Sequence, residues 1–195
     1  MAPISNTALD RQGAKDAAAG KGDRLVTLNR GTDGHDLVVR TRRLDLSLLP
    51  EGMLADLHAY WRSKLSSEGL PGRTEIDPLD FPWALGRVSL LEVSRKPLVF
   101  RHRIDGSLLA AHRGQDMTGH TTDEIRPLGL ANVLRAHYSH VVRTAAPDLF
   151  EVQCTRNIIK TSFTTLALPL ATDGHQVDMI LSCALDTEGL ATLFS

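Results

Sequence analysis

The chain has 195 residues, 42% of them hydrophobic, which is enough to bury one core of ordinary size with some length left over. Its 22 Lys and Arg residues against 23 Asp and Glu residues give a net charge of -1, so no overall positive field would attract nucleic acid or anionic lipid. No apolar run approaches the roughly 18 residues of a membrane span, and the start of the chain lacks the apolar segment of a signal peptide. A cytoplasmic protein without a nucleic-acid partner is therefore predicted.

The N-terminal region divides into two parts. Residues 1–23 are rich in Ala, Gly, Lys and Asp and hold few large apolar residues, and this composition predicts a disordered tail. Residues 24–49 contain two strand-like runs, 25–28 and 37–40, on either side of a turn-rich stretch. They are predicted to form an accessory hairpin or an extended segment ahead of the main domain.

The first predicted helix spans residues 50–67, where apolar residues repeat at helical spacing. One interpretation is a helix packed on its own domain. The other is an amphipathic flank that pairs with another subunit, because Tyr60 and Trp61 are residue types that anchor interfaces. Tyr60 and Trp61 are accordingly predicted to bind a partner, which includes a second copy of the chain in a homodimer.

A second hairpin is predicted over residues 87–104. One face of its second strand is apolar apart from a histidine and comprises Leu98, Phe100, His102 and Ile104. The opposite face is cationic because it carries Arg101 and Arg103. The pattern predicts that the apolar face is buried and that the two arginines are exposed for a protein partner.

The rest of the chain supplies a long helix and three more strands. Residues 128–144 have helical periodicity, with His137 within the apolar stripe and His140 on its flank. The three strands are predicted at residues 149–155, 163–170 and 177–185. Residues 187–195 are predicted to be a C-terminal tail or a short helix. This order of elements is typical of an α+β domain with an antiparallel sheet.

Five short motifs occur in the following order along the chain: Tyr60-Trp61, LPGRTEIDP at 70–78, RIDGS at 103–107, GQDMTG at 114–119 and LPL at 168–170. Their order and spacing resemble those of a bacterial group of PAS-type sensory domains. The resemblance implies a PAS-like domain over residues 50–186, with a five-stranded antiparallel sheet, helices on one face and an added N-terminal helix. It also implies a role in sensing or protein interaction, and it carries no set of catalytic residues.

A cavity between this sheet and the long helix would be lined by Phe100, His102, His137 and His140, which are the predicted ligand-binding residues. The alternative is that His102 and His137 are core residues hydrogen-bonded to their neighbours and bind no ligand. Haem is a further alternative, with His137 or His140 as its axial ligand, since some PAS sensors hold haem from the equivalent helix. No spacing typical of a protein metal site occurs in the sequence.

The main hypothesis is a stand-alone, non-enzymatic regulatory sensor or interaction module that signals through a protein partner. The alternative is a small cone-shaped α+β enzyme of the isomerase or hydratase type, which would use a histidine and a carboxylate in the same cavity. The candidates for that chemistry are His102, His137, Tyr138 and Glu151. Strand alternation places Glu151 on the side opposite Phe150, so this carboxylate is expected to face water.

Overall fold

The computed structural model describes residues 24–29, 37–67 and 69–191, so the tail predicted for residues 1–23 lies outside the described part. Seven strands lie in these ranges: β1 Arg24–Asn29, β2 Leu37–Leu44, β3 Val88–Arg95, β4 Leu98–Asp105, β5 Asp148–Arg156, β6 Ile159–Leu170 and β7 Met179–Leu185. The α-helices are α1 Met53–Ser63, α2 Ser107–Arg113 and α3 Leu128–Thr144. Short 3-10 turns at Pro82–Arg87, Thr122–Glu124 and Thr187–Gly189 connect them. None of the helices in the described ranges is long and apolar enough to cross a membrane.

The seven strands form one sheet in the order β1-β2-β5-β6-β7-β3-β4, and every neighbouring pair is antiparallel. The predicted α+β fold with an antiparallel sheet is therefore confirmed. The predicted count of five strands is too low, because the hairpin of β1 and β2 continues the sheet. β2 pairs with β5 along its whole length, from Leu37 opposite Arg156 to Leu44 opposite Leu149.

The sheet is covered on both faces. One core lies under α2 and α3 and includes Phe100, Val133 and Phe150. The other lies under α1 and includes Leu57 and Leu168. Since neighbouring strand residues point to opposite faces, the apolar strands can supply both cores. The predicted N-terminal helix, α1, thus lies on the face opposite α3.

A bulge in β4 changes the predicted alternation of that strand. Leu90 pairs with Ile104 and Leu91 pairs with His102, so Arg103 is an extra residue in β4. The bulge turns Ile104 away from the α3 face, and 47% of its surface is exposed although the pattern predicted burial. Phe100 and His102, which precede the bulge, are buried as predicted.

Candidate functional site

A cavity of about 40 Å³ lies between the sheet and α3. Its polar lining comes from six helices and strands and from the turn after β7, and it comprises Ser89, His102, Arg113, Tyr138, Thr165, Ser182 and Thr187. Apolar side chains of α3 and of the strands complete the walls. Every lining residue other than Arg113 is buried.

A buried ion pair forms one wall of this cavity. The Arg113 guanidinium donates to the carboxylate of Asp105. The Asp105 side chain is 0% exposed and does not itself line the cavity. The same carboxylate accepts from Ser89 Oγ at 2.9 Å and from the Met117 backbone N–H at 3.0 Å. A Cβ on Gly106 would come within 2.5 Å of the Gly86 carbonyl oxygen, so only glycine allows the chain to turn this closely after Asp105.

Three buried polar atoms at the cavity have no hydrogen-bond partner among the described residues: His102 Nδ1, Arg113 Nε and Thr165 Oγ1. The other ring nitrogen of His102, Nε2, lies 3.2 Å from Thr122 Oγ1. Buried polar groups in folded proteins nearly always have a partner, and an unpaired one costs about 1–3 kcal/mol. A polar molecule in this cavity would be able to pair these three atoms.

The ionisable groups His102 and Tyr138 are uncharged at neutral pH. Burial lowers the pKa of His102 to about 4, with the nearby charges of Asp105 and Arg113 as smaller influences of opposite sign. Burial raises the pKa of Tyr138 to about 12, and its hydroxyl donates to Ser182 Oγ at 3.3 Å. The cavity thus offers hydrogen-bonding groups without a free charge.

His137 does not line the cavity but belongs to a separate buried chain of hydrogen bonds. Its Nε2 lies 2.8 Å from Thr41 Oγ1 and its Nδ1 lies 2.7 Å from Asp148 Oδ2. The Thr41 hydroxyl donates its proton to the Glu151 carbonyl at 2.8 Å, so it can only accept from His137. Nε2 of His137 is therefore the donor to Thr41, and Nδ1 faces the Asp148 carboxylate.

Arg43 Nε donates to the other oxygen of Asp148 at 2.7 Å. Burial alone would raise the pKa of the Asp148 carboxyl, but the hydrogen bonds from His137 and Arg43 outweigh it and hold that pKa below its usual value. The ring of His137 also stacks on Phe150, with the ring centroids 3.7 Å apart. These contacts tie β2, α3 and β5 together.

Thr41, His137 and Asp148 have the hydroxyl, imidazole and carboxylate order of a nucleophilic triad. All three side chains are buried, and the Thr41 hydroxyl is already donated to a backbone carbonyl. Glu151, the carboxylate considered for the enzyme alternative, forms an ion pair with Arg42 at 2.9 Å. These hydrogen bonds serve as a structural link, because a substrate cannot reach the buried Thr41 hydroxyl.

The other predicted ligand-binding residues lie beside the cavity or away from it. Phe100 is buried and contacts the Tyr138 ring, with centroids 5.6 Å apart, but it does not line the cavity. His140 is partly buried on the flank of α3, where Arg143 donates to its Nδ1 at 3.0 Å. Haem does not fit this site, because the cavity of about 40 Å³ holds only a few atoms and both nitrogens of His137 are engaged.

The predicted partner-binding residues are divided between core and surface. Trp61 is 3% exposed and donates from Nε1 to the Pro169 carbonyl at 2.9 Å, which leaves it no surface for a partner. Tyr60 is partly buried, and its hydroxyl accepts from the Asp77 backbone N–H at 2.9 Å. Arg101 and Arg103 are both exposed on β4, as the alternation predicted.

Of the residues at the cavity, His102 was predicted from the sequence as a site residue, whereas Arg113, Asp105, Thr165 and Ser182 were not. The last two are hydroxyl residues at inward positions of the apolar strands β6 and β7. A hydroxyl in such a position is a signal of a buried polar site, because an apolar residue would pack there at no cost. The ion pair of Arg113 and Asp105 gives no comparable signal, since charged residues near a turn are ordinarily exposed.

Comparisons with known proteins give one result. Neither the curated proteins nor the solved structures include a match to this chain. A family model described as PAS domain matches residues 51–185, which is more than half of the chain and includes α1, the strands from β3 to β7 and the cavity lining except Thr187 and Leu190. The strands β1 and β2 precede the matched region. The chain therefore belongs to the PAS domain family.

Proposed function

We propose that this protein is a regulatory sensor in bacterial signalling, whose PAS domain binds a small molecule between the sheet and α3 and reports it to a protein partner without catalysis. The observation that carries the proposal is the set of unpartnered atoms on His102, Arg113 and Thr165 around one cavity. A bound polar molecule would pair these atoms and recover about 1–3 kcal/mol for each. No such gain is available to a closed apolar core.

The lining of the cavity also supports a route for the signal. Arg113 ends α2, and Thr187 begins the turn after β7. Thr187 Oγ1 lies 2.8 Å from His112 Nδ1, so the C-terminal turn is linked to α2 beside the cavity. A ligand that favours one arrangement of these elements would shift the population of surfaces that a partner meets.

The proposed partner surface is the outer part of β4 with Arg101 and Arg103. β4 is the last strand in the sheet order, residues 119–121 pair with part of its outer side, and both arginine side chains are exposed. Arg103 lies 3.6 Å from Glu92, an exposed pair that contributes little to stability and can be exchanged for a partner's carboxylate. An acidic protein surface would complement these arginines. The second proposal for the partner contact is a homodimer formed through Tyr60 on α1.

The proposed location is the cytoplasm. Cys154 and Cys183 are both free and buried, and burial raises the pKa of each thiol to about 12. Unreactive reduced thiols of this kind are consistent with a reducing compartment.

Native mass spectrometry of the full chain, purified from cell extract, tests the ligand. We expect a bound small mass that is released on unfolding. Ala184→Leu should remove it, because Ala184 lines the cavity and a longer side chain fills the space. Ala136→Leu, on the exposed side of α3, is the matched control and should retain the mass. A wild-type chain that carries no mass, even after incubation with cell metabolites, would contradict the proposal.

Affinity capture with charge-reversed variants tests the partner surface. Arg101→Glu with Arg103→Glu should lose the captured partner, while Arg135→Glu with Arg143→Glu, the same charge change on α3, should retain it. All four arginines are exposed, so neither double variant is expected to unfold the chain. Equal capture by both double variants would exclude the β4 surface.

A further inference from the structure

The charges around the cavity cancel. Asp105 and Arg113 form a buried ion pair whose net charge is zero. His102 and Tyr138 are neutral for the reason already given, which is burial. An ion entering this space would therefore lack a counter-charge, and a buried unpaired charge is strongly unfavourable.

An anion could obtain a counter-charge only by drawing Arg113 away from Asp105. The Asp105 carboxylate would then remain buried with neutral donors alone, the hydroxyl of Ser89 and the backbone N–H of Met117. Removing one partner of a buried ion pair is far more costly than binding a neutral guest to the Nε–H that Arg113 leaves free. The geometry thus disfavours carboxylates and phosphates.

The size of the cavity limits the guest to a few atoms. A volume of about 40 Å³ corresponds to about three water-sized groups, at about 10–15 Å³ for each. The unpaired atoms specify the polarity of the guest. Arg113 Nε–H is a donor only, the Thr165 hydroxyl can donate or accept, and His102 Nδ1 takes either role according to its tautomer. A guest therefore needs one acceptor oxygen and a second hydrogen-bonding group close to it.

Resting on the function proposed above, we propose that the cavity binds a compact uncharged molecule in which a carbonyl or hydroxyl oxygen accepts from Arg113 and a neighbouring polar group pairs with Thr165 and His102. A small primary amide is the simplest molecule of this class. Its oxygen accepts a hydrogen bond from the Arg113 Nε–H, and its NH₂ group donates to Thr165 Oγ1 or His102 Nδ1.

Three probes of the same shape and different charge test this inference: formamide, formate and formamidinium. Each is titrated at constant ionic strength into the ¹⁵N-labelled full chain, and the backbone amide shifts are recorded. Formamide should shift signals near Thr165, Ser182 and Tyr138, and neither ion should do so. Thr165→Val should weaken the formamide response about two- to tenfold, which is the effect of one hydrogen bond.

Thr164→Val is the matched control, because Thr164 is the neighbour in β6 that points to the opposite face. It should leave the formamide response unchanged. Thr165→Val keeps the side-chain shape and removes an unpartnered hydroxyl, so the variant is expected to fold at least as stably as the wild type. Ser182→Ala provides a second variant in the lining with a smaller side chain.

The outcomes separate the two proposals. Shifts of the same amides that are stronger with formate or formamidinium would overturn the uncharged class and leave the cavity as a ligand site. The absence of shifts with all three probes would overturn both the class and the proposed sensor cavity. Equal responses of Thr165→Val and Thr164→Val to formamide would overturn the assigned contact and with it the inference.

Discussion

The hydroxyl of Thr41 lies 2.8 Å from Nε2 of His137, and this contact joins β2 to α3 inside the molecule. Thr41 precedes the region matched by the family model, residues 51–185, whereas His137 lies within it. The hairpin of β1 and β2 is thus joined to the PAS domain by a buried polar contact as well as by strand pairing. Its position in the structure depends on side chains of both parts.

Thr41→Val tests this link. The change keeps the shape of the side chain but leaves the Nε2–H of His137 buried without an acceptor. We expect the free energy of unfolding to fall by about 1–3 kcal/mol, which is typical of an unsatisfied buried donor. Urea denaturation of the full chain measures this loss. Thr74→Val, at an exposed threonine, is the control, and a loss for Thr41→Val no larger than that of Thr74→Val would contradict the prediction.

Asp148→Asn should lower stability at neutral pH by about 3 kcal/mol, because His137 and Arg43 lose the buried carboxylate that they share. The folded-state pKa of Asp148 lies below its usual value of 3.8. Its stabilisation is therefore fully present above that value and is lost as the pH falls through the folded-state pKa.

Unfolding free energies measured from neutral to acidic pH should accordingly decline less steeply at the acid end for Asp148→Asn than for the wild type. Asp123→Asn is the control, because this exposed carboxyl lies 3.5 Å from Arg135 in a solvated pair. Parallel pH profiles for the wild type and Asp148→Asn would show that the carboxylate of Asp148 does not stabilise the fold.

The sequence predicted the elements that depend on local periodicity. Alternation in β4 placed Phe100 and His102 inside, since one face of a covered strand must be apolar. The periodicity of residues 128–144 gave α3 with its correct bounds. The bulge at Arg103 was not predictable, because it depends on the register between β3 and β4 rather than on the residues of one strand.

The site could be predicted only in part, because its contacts are long-range. His102 was identified as an unusual residue on an apolar face, and it does line the cavity. His137 has the same local signal, yet Thr41 and Asp148 engage both of its nitrogens. Periodicity gives the face on which a side chain lies, whereas the partner that it meets there depends on strand order. The pairing of β2 with β5 brings Thr41 to His137, and no local pattern encodes that pairing.

The two tryptophans of the chain should differ in solvent access. Trp83 is 44% exposed, whereas Trp61, on the buried side of α1, is 3% exposed. Trp83→Phe leaves Trp61 as the fluorescent tryptophan, which acrylamide should quench weakly until the chain is unfolded. Trp61→Phe leaves Trp83, which should be quenched strongly in the folded state. Strong quenching of Trp61 in the folded Trp83→Phe variant would show that α1 leaves the sheet and that Trp61 is available to a partner after all.

His102 should make the protein less stable in mildly acidic solution. Its pKa falls from 6.5 in the unfolded chain to about 4 in the folded chain, because burial disfavours the imidazolium. The unfolded state therefore binds a proton first as the pH falls below 6.5, and folding loses stability until the pH reaches about 4. At about 1.4 kcal/mol per pH unit, the full loss is about 3 kcal/mol.

His102→Gln removes this titration and keeps a polar side chain of similar size, so the difference in unfolding free energy between the wild type and the variant isolates the effect. That difference should be constant above pH 6.5, should change in favour of the variant as the pH falls to about 4, and should then level off. Asp105, Arg113 and His120 are the ionisable groups that act on His102, and they are present in both chains. His175→Gln, at an exposed histidine, should follow the wild-type profile. A constant difference over the whole range would mean that the folded protein accepts the His102 imidazolium in its core, and the uncharged cavity would then be wrong as well.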